Sequence, residues 1–207
     1  MKSLALLGAS GHGKVVADMA ELLGFRVSFF DNIWPGITQS SHWPIEGSLD
    51  ELNHRLDEFD GIVVAIGNNQ VRAERLLELE ARGAKLATLI HPSAQISRYA
   101  TLGPGTVVFA NVVINVDATL GKGVIINTGA TVDHDCRLDD FVHISPGANL
   151  AGNVSVGTHS WVGIGAVVRQ GTVIGSDVTV GACAAVVSDI PPGSCVVGVP
   201  ARPRARG

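Results

Sequence analysis

Sixteen positions spaced six residues apart, from Ile96 to Val186, are all Ile, Leu or Val: 96, 102, 108, 114, 120, 126, 132, 138, 144, 150, 156, 162, 168, 174, 180 and 186. These three types make up 58 of the 207 residues, so such a run arises by chance about once in a billion tries. A second row lies two residues before each: Ala94, Ala100, Thr106, Val112, Ala118, Val124, Ala130, Cys136, Val142, Ala148, Val154, Ser160, Ala166, Thr172, Val178 and Ala184, every one small or Val. Gly follows the aliphatic position at 103, 121, 157, 163, 175 and 181. A hexad matches neither the 3.6 period of a helix nor the period of 2 of a strand. It matches a β-solenoid, with one short strand and one turn per six residues. The aliphatic row fills the interior and the small row lets the chain turn in a narrow tube. The glycines are expected to take up positive φ at the corners. Three hexads close one triangular coil, so the run gives five and a third coils, roughly 25 Å tall at about 4.8 Å per strand. A Val-rich β-sandwich would not hold period six through so many units.

Composition shifts near residue 90, which predicts two domains: residues 1–90, a solenoid over 91–188, and a carboxy-terminal tail over 189–207. A net charge of −4 argues against a nucleic-acid partner. Three cysteines, an odd and small number, suggest a reducing compartment without a disulfide framework. No run of eighteen apolar residues predicts a membrane span. The apolar run over residues 1–9 is too short for a signal peptide. These features predict a cytoplasmic protein.

In the first ninety residues, strands are expected over 3–7, 27–30, 61–66 and 85–90. A helix begins after Gly8-Ala9-Ser10-Gly11-His12-Gly13-Lys14, carries Val15, Val16, Met19, Leu22 and Leu23 at helical spacing, and ends at Gly24. A second helix covers 71–82. The alternation predicts a small parallel α/β unit. Residues 33–50, with Pro35, Gly36, Pro44 and Gly47, read as a connecting loop. The Gly-rich turn offers backbone N–H groups and a helix N-terminus to an anion, as for a nucleotide diphosphate. A P-loop is disfavoured because Val15 stands where Ser or Thr must hold magnesium. Asp31 lies near the spacing for a ribose contact in dinucleotide folds. Redox chemistry of the short-chain dehydrogenase type would need Tyr and Lys four apart, and the one Tyr, Tyr99, has Gly103 at that spacing. A nucleotide-sugar site is the preferred reading; a tight turn without a ligand is the plain alternative.

His134 and His143 fall at phases that point out of the solenoid, either into solvent or into a site. His134 sits in Asp133-His134-Asp135, where a carboxylate can orient the ring and raise its basicity. A solvated polar turn is the plain alternative, and His91 and His159 keep that reading. Cys136 lies on the inward row and reads as core.

Gly8-Ala9-Ser10-Gly11-His12-Gly13, Asp31-Asn32, Ile66-Gly67-Asn68-Asn69, His134-Asp135-Cys136, His143-Ile144-Ser145-Pro146-Gly147-Ala148, Ala151-Gly152-Asn153-Val154 and Gly198-Val199-Pro200-Ala201 occur in an order that resembles one family. It is the sugar acetyltransferases of the hexapeptide-repeat superfamily, including bacterial UDP-4-amino-sugar (bacillosamine-type) and perosamine N-acetyltransferases and sialic acid O-acetyltransferase-like proteins. The resemblance implies a small Rossmann-like α/β domain followed by a left-handed parallel β-helix, against the usual crossover rule. It implies a homotrimer with acetyl-CoA lying along the solenoid between subunits and no metal. It also implies a nucleotide amino sugar held by the first domain. By position, His134 would be the general base with Asp135 behind it. The bacillosamine enzymes carry Glu there, and Asp133 could share the role. His143, Ile164, Gly181 and Ala182 match the acetyl-CoA side. Gly11, His12, Gly13, Asp31, Asn32 and Gly67 match the sugar-nucleotide side.

The expected activity is therefore acetyl transfer from acetyl-CoA to the amine of a nucleotide-linked amino sugar. O-acetylation of sialic acid or another sugar hydroxyl is the same-class alternative. A zinc lyase of the γ-carbonic anhydrase type would need three converging His, and no tight HxxxxH pair occurs. A non-catalytic sugar-nucleotide-binding protein is the remaining alternative.

Overall fold

The computed structural model describes residues 2–204. Residue 1 and residues 205–207, which belong to the predicted first domain and the predicted tail, lie outside the described residues. The chain divides into two units, Met1–Pro92 and Ser93–Gly207.

In the first unit, β1 (Lys2–Leu7) leads through the Gly-rich turn into α1 (Gly11–Leu22), and β2 (Phe25–Phe30) follows. Then come β3 (Gln39–Ser40), β4 (Trp43–Gly47), α2 (Leu49–His54), β5 (Gly61–Val64) and α3 (Asn69–Ala81). The sheet order is β3-β4-β2-β1-β5, with β3 antiparallel to β4 and the other pairs parallel. Leu4, Leu6, Phe29, Phe30 and Ile62 are fully buried in it.

The expected connecting loop over 33–50 is instead a strand pair and the start of a helix. Trp43 and Ile45 alternate inward, and the Trp43 indole donates to Glu21 Oε1 at 3.0 Å. Ser48 and Glu51 form a reciprocal capping box at the start of α2. That Ser-x-x-Glu spacing is a helix-start signal legible in the sequence. The strand expected over 85–90 shrinks to a single bridge between Leu86 and Ile62 and a two-residue strand, Leu89–Ile90. In α1 the buried stripe is Gly13, Val16, Ala17, Met19 and Ala20. Val15, Leu22 and Leu23 are exposed, because their positions fall off the face that carries Val16, Ala17, Met19 and Ala20.

In the second unit each hexad gives one two-residue strand, and each strand pairs in parallel with the strand eighteen residues on, as Val113 does with Thr131 and Gln95. Three walls result: one through Ile96, Ile114 and Val132, one through Leu102, Leu120 and Leu138, one through Val108, Ile126 and Ile144. Both predicted rows form the core. Two of the polar members are bonded inside: Thr106 Oγ1 donates to Gly121 O at 3.1 Å, and Ser160 Oγ donates to Gly175 O at 2.7 Å, whereas the Thr172 hydroxyl is buried without a hydrogen-bond partner among the described residues.

The corner glycines do not act as expected. Gly103, Gly121, Gly157, Gly163, Gly175 and Gly181 are absent from the positive-φ residues. Positive φ falls two residues later, three after the aliphatic position, at Gly105, Asn111, Asp117, Gly123, Gly129, Asp135 and onward to Cys183. The glycines after the aliphatic row are required by close approach. A Cβ on Gly121 would lie 2.7 Å from Asp140 N and 2.9 Å from Asp139 C. Gly121→Ala must push the next coil's backbone, and overpacking of this kind costs about 1–3 kcal/mol. A lowered melting temperature is expected, and an unchanged one would show that the coil yields there freely.

Past Val186 the register shortens by two residues and the solenoid continues. Ile190 bridges Ile174, and Cys195–Val197 extends the third wall by pairing with Thr179–Val180. Arg202–Pro203 then folds back antiparallel on it. Residues 189–204 are thus built into the second unit.

Candidate active site

The strand Thr131–Val132 ends at a corner whose third residue, Asp135, has φ of 60°. Asp tolerates this left-handed conformation better than most residues. Asp133 fixes the turn: its Oδ1 accepts from His134 N at 2.8 Å and from Asn115 Nδ2 at 2.7 Å. Asp135 faces the ring, with Oδ2 2.8 Å from His134 Nδ1. A carboxylate only accepts, so Nδ1 carries the proton and Nε2 keeps the lone pair. The hydrogen bond that Nδ1 donates to Asp135, with the charges of Asp133 and Asp135, raises the His134 pKa above the ordinary value. The His134 side chain is 55% exposed, so Nε2 is open to a reactant. Asp133 is committed to the backbone turn and Asp135 to the imidazole.

Cys136, two residues on, is buried, and burial pushes its thiol pKa up. Its Sγ lies 3.2 Å from Ala151 O. It is core, as its row predicts.

His143 has the outward phase but is only 5% exposed, so it is neither on solvent nor open. The strand register sets it beside Trp161, one coil on, and the rings stack with centroids 4.5 Å apart. The Trp161 indole donates to Ser145 Oγ at 2.7 Å, and His143 Nε2 lies 3.4 Å from Asn127 Nδ2. Trp161 and Ser145 line an apolar cleft of about 520 Å3 with Ile164, Gly181 and Ala182. The structure thus brings together three of the four residues expected on the acetyl-CoA side and sets His143 behind Trp161. The eighteen-residue spacing of 143 and 161 was the available signal for that stack.

In the first unit, Asp31 and Asn32 line a cavity of about 160 Å3 with Leu7, Gly8, Ile66 and Arg75. Gly11 and Lys14 line a second of about 240 Å3 with Ile33, Ser40 and Ser41. His12, Gly13 and Gly67 line neither of these two. Asp31 rivets the Gly-rich turn: Oδ2 accepts from Ala9 N at 2.8 Å and Oδ1 from Ile33 N at 3.1 Å. Ser40 Oγ donates to Ala9 O at 2.7 Å, so the segment expected to be a loop holds the turn. Gly13 is demanded by packing, since a Cβ there would lie 2.1 Å from Gly8 O. Gly11 and Gly67 face open space. Burial, helped by Arg72, lowers the His12 pKa to about 4, so the ring is neutral near pH 7. Arg72, buried on α3, has its pKa lowered by burial to about 9. It donates to Ile66 O and Gly67 O, each at 3.1 Å, and so clamps the turn after β5.

Among the described residues no group of three His, Cys, Asp or Glu side chains converges as a metal site. No helix among them is long and apolar enough to cross a membrane.

Residues 3–79 match the PglD N-terminal domain family. The chain is 37% identical over 117 residues to UDP-N-acetylbacillosamine N-acetyltransferase of Bacillus subtilis, a match spanning 53% of this chain and 52% of that protein, about half its length. The acetyltransferase domain of PglB from Neisseria gonorrhoeae, solved with acetyl coenzyme A, is 47% identical with a TM-score of 0.95, covering 98% of this chain and 99% of that one. PerB from Caulobacter crescentus, solved with CoA and GDP-perosamine, is 37% identical with a TM-score of 0.94, covering 99% and 98%. A Rossmann-like unit, a hexad-built left-handed parallel β-helix and identity sustained over almost the whole of these two solved chains carry one conclusion: the chain belongs to the sugar acetyltransferase family of the left-handed β-helix superfamily.

Proposed function

We propose that the chain is an acetyl-CoA-dependent N-acetyltransferase acting on the amino group of a nucleotide-linked sugar. The observation that carries this reading is His134, exposed, with Nδ1 held by Asp135 at 2.8 Å and Nε2 open. Nε2 takes the amine proton as the amine nitrogen bonds to the acetyl carbonyl carbon and the carbon–sulfur bond breaks. Thiolate leaves well, so no acyl-enzyme is needed, and the buried Cys136 has no part. Holding donor and acceptor side by side supplies much of the rate. The apolar cleft around Trp161, Ile164, Gly181 and Ala182 suits the donor. The turns at Gly8, Gly11 and Gly67 suit the nucleotide sugar, with the neutral His12 ring donating a hydrogen bond and not a charge. PglB and PerB were solved with acetyl coenzyme A and with CoA and GDP-perosamine, respectively, which supports both assignments. The chain is read as cytoplasmic, since its three cysteines are free and thiols stay reduced in that compartment.

The test is a thermal-shift screen with UDP, GDP, dTDP and CMP sugars followed by thiol release from acetyl-CoA. A ligand of the folded state raises stability by RT ln(1 + [L]/Kd), so one nucleotide should stand out and its amino sugar should release thiol. No shift and no thiol release with any of them would defeat the proposal.

The chain is also read as a homotrimer. Val116, Trp161, Ile164, Val167 and Val173 are exposed in the single chain, and surfaces of this kind mark contacts between proteins. Ile125, by contrast, is fully buried within its own chain, and Val113 is half-buried. A trimer mass by light scattering at micromolar concentration is expected; a monomer mass would refute the assembly.

A further inference from the structure

Position 152 is eighteen residues after 134, one coil further on. A Cβ on Gly152 would lie 2.4 Å from Cε1, 2.4 Å from Nε2 and 3.0 Å from Nδ1 of His134. The three nearest atoms all belong to this one ring. Gly152 is buried, while the His134 side chain is 55% exposed. The two turns are tied by Asn153 N donating to His134 O at 2.8 Å. Gly152 is not among the positive-φ glycines, so its backbone conformation does not demand Gly. Gly121 and Gly157 make the contrast, since their Cβ atoms would strike backbone nitrogen of the next coil at 2.7 and 2.5 Å. They serve the solenoid, and Gly152 serves a side chain.

The geometry points to Gly152 as a positioning residue for His134: its missing side chain leaves the floor on which the imidazole lies, and so fixes where Nε2 is presented. Asp135 holds one edge of the ring and Gly152 supports its face. With both fixed, the ring has one placement from which Nε2 meets the amine. The inference rests on the reading of His134 as the base. The nearest atoms a methyl group at 152 would meet all belong to an exposed ring that can rotate away, so relief comes from the ring before the coil. The cost falls on catalysis, where a misplacement of about 1 Å can cost on the order of 100-fold.

The experiment compares Gly152→Ala, His134→Ala and the double variant. Gly152→Ala is expected to melt close to the wild type and bind acetyl-CoA normally. Its kcat should fall by about 10–100-fold with little change in KM. NMR titration of the labelled His134 ring should show its pKa moving down toward the ordinary value, because the swung ring leaves Asp135. In the His134→Ala background the same substitution should cost nothing further. Unchanged kcat and ring titration in Gly152→Ala would overturn the inference. So would an equal loss in both backgrounds, or a variant that fails to fold. Full activity in His134→Ala would instead defeat the base assignment, while the ring titration would still report whether Gly152 positions the imidazole.

Discussion

His134→Ala is expected to lower kcat by about 10²–10⁴-fold, the range typical of a lost general base. The assembly state and the affinity for acetyl-CoA should be nearly unchanged, because the exposed side chain packs no core. The pH dependence is part of the expectation. The base must be neutral to accept a proton, so activity rises as pH climbs through the His134 pKa. Asp135 raises that pKa, which places the ascending limb above the pH of an ordinary histidine. Asp135→Asn should move the limb to lower pH and give a smaller loss of kcat, since it removes the orienting charge and keeps the ring. His134→Ala should flatten the limb. Retention of more than about a third of wild-type kcat at saturating substrates lies far outside the range for a general base and would turn attention to another group. His143, buried behind Trp161, is poorly placed to be that group without movement of the indole.

Gly11→Val is expected to weaken nucleotide-sugar binding by at least about tenfold, or about 1.4 kcal/mol, while leaving acetyl-CoA binding intact. Gly11 is the first residue of α1, lines the cleft with Lys14, and has open space where a Cβ would go. A branched side chain there disturbs no packing and fills the approach to the helix N-terminus, where N–H groups favour an anion. Gly13 is the contrast. Its Cβ would lie 2.1 Å from Gly8 O, so substitution there would act through the fold. Isothermal titration with both ligands separates the cases. If Gly11→Val binds the nucleotide sugar normally, the turn is a turn and not a phosphate cradle.

The second unit was almost wholly legible because its core repeats. Each aliphatic position from Val108 to Val186 is buried, and one hexad register predicts all of them. What that register hides is the reason for each glycine, since period alone does not separate a left-handed turn from close approach. Only the geometry assigns Gly121 to close approach and Asp135 to the left-handed turn. The outward phase of His143 was legible, but not its cover, because stacking by Trp161 joins residues a coil apart. The first unit was less legible where turn-forming residues mask short strands. Pro44 sits inside β4, tolerated there by a short strand near the sheet edge. The capping box at Ser48 and Glu51 was the one local signal for α2. Asp31 stands near the spacing for a ribose contact, yet its carboxylate accepts from Ala9 and Ile33, because backbone donors of the turn lie within its reach.

Acetyl transfer to a sugar amine with His134 as the base, as proposed above, is open to one direct test. The most direct measurement incubates the wild type and His134→Ala with acetyl-CoA and the nucleotide amino sugar that gives the largest thermal shift, and identifies the product by mass spectrometry and NMR. One added acetyl group is expected, held as an amide on the sugar nitrogen and formed by the wild type at least about a hundredfold faster than by the variant. An unmodified sugar, an acetyl ester on a hydroxyl, or equal rates from the two proteins would contradict it.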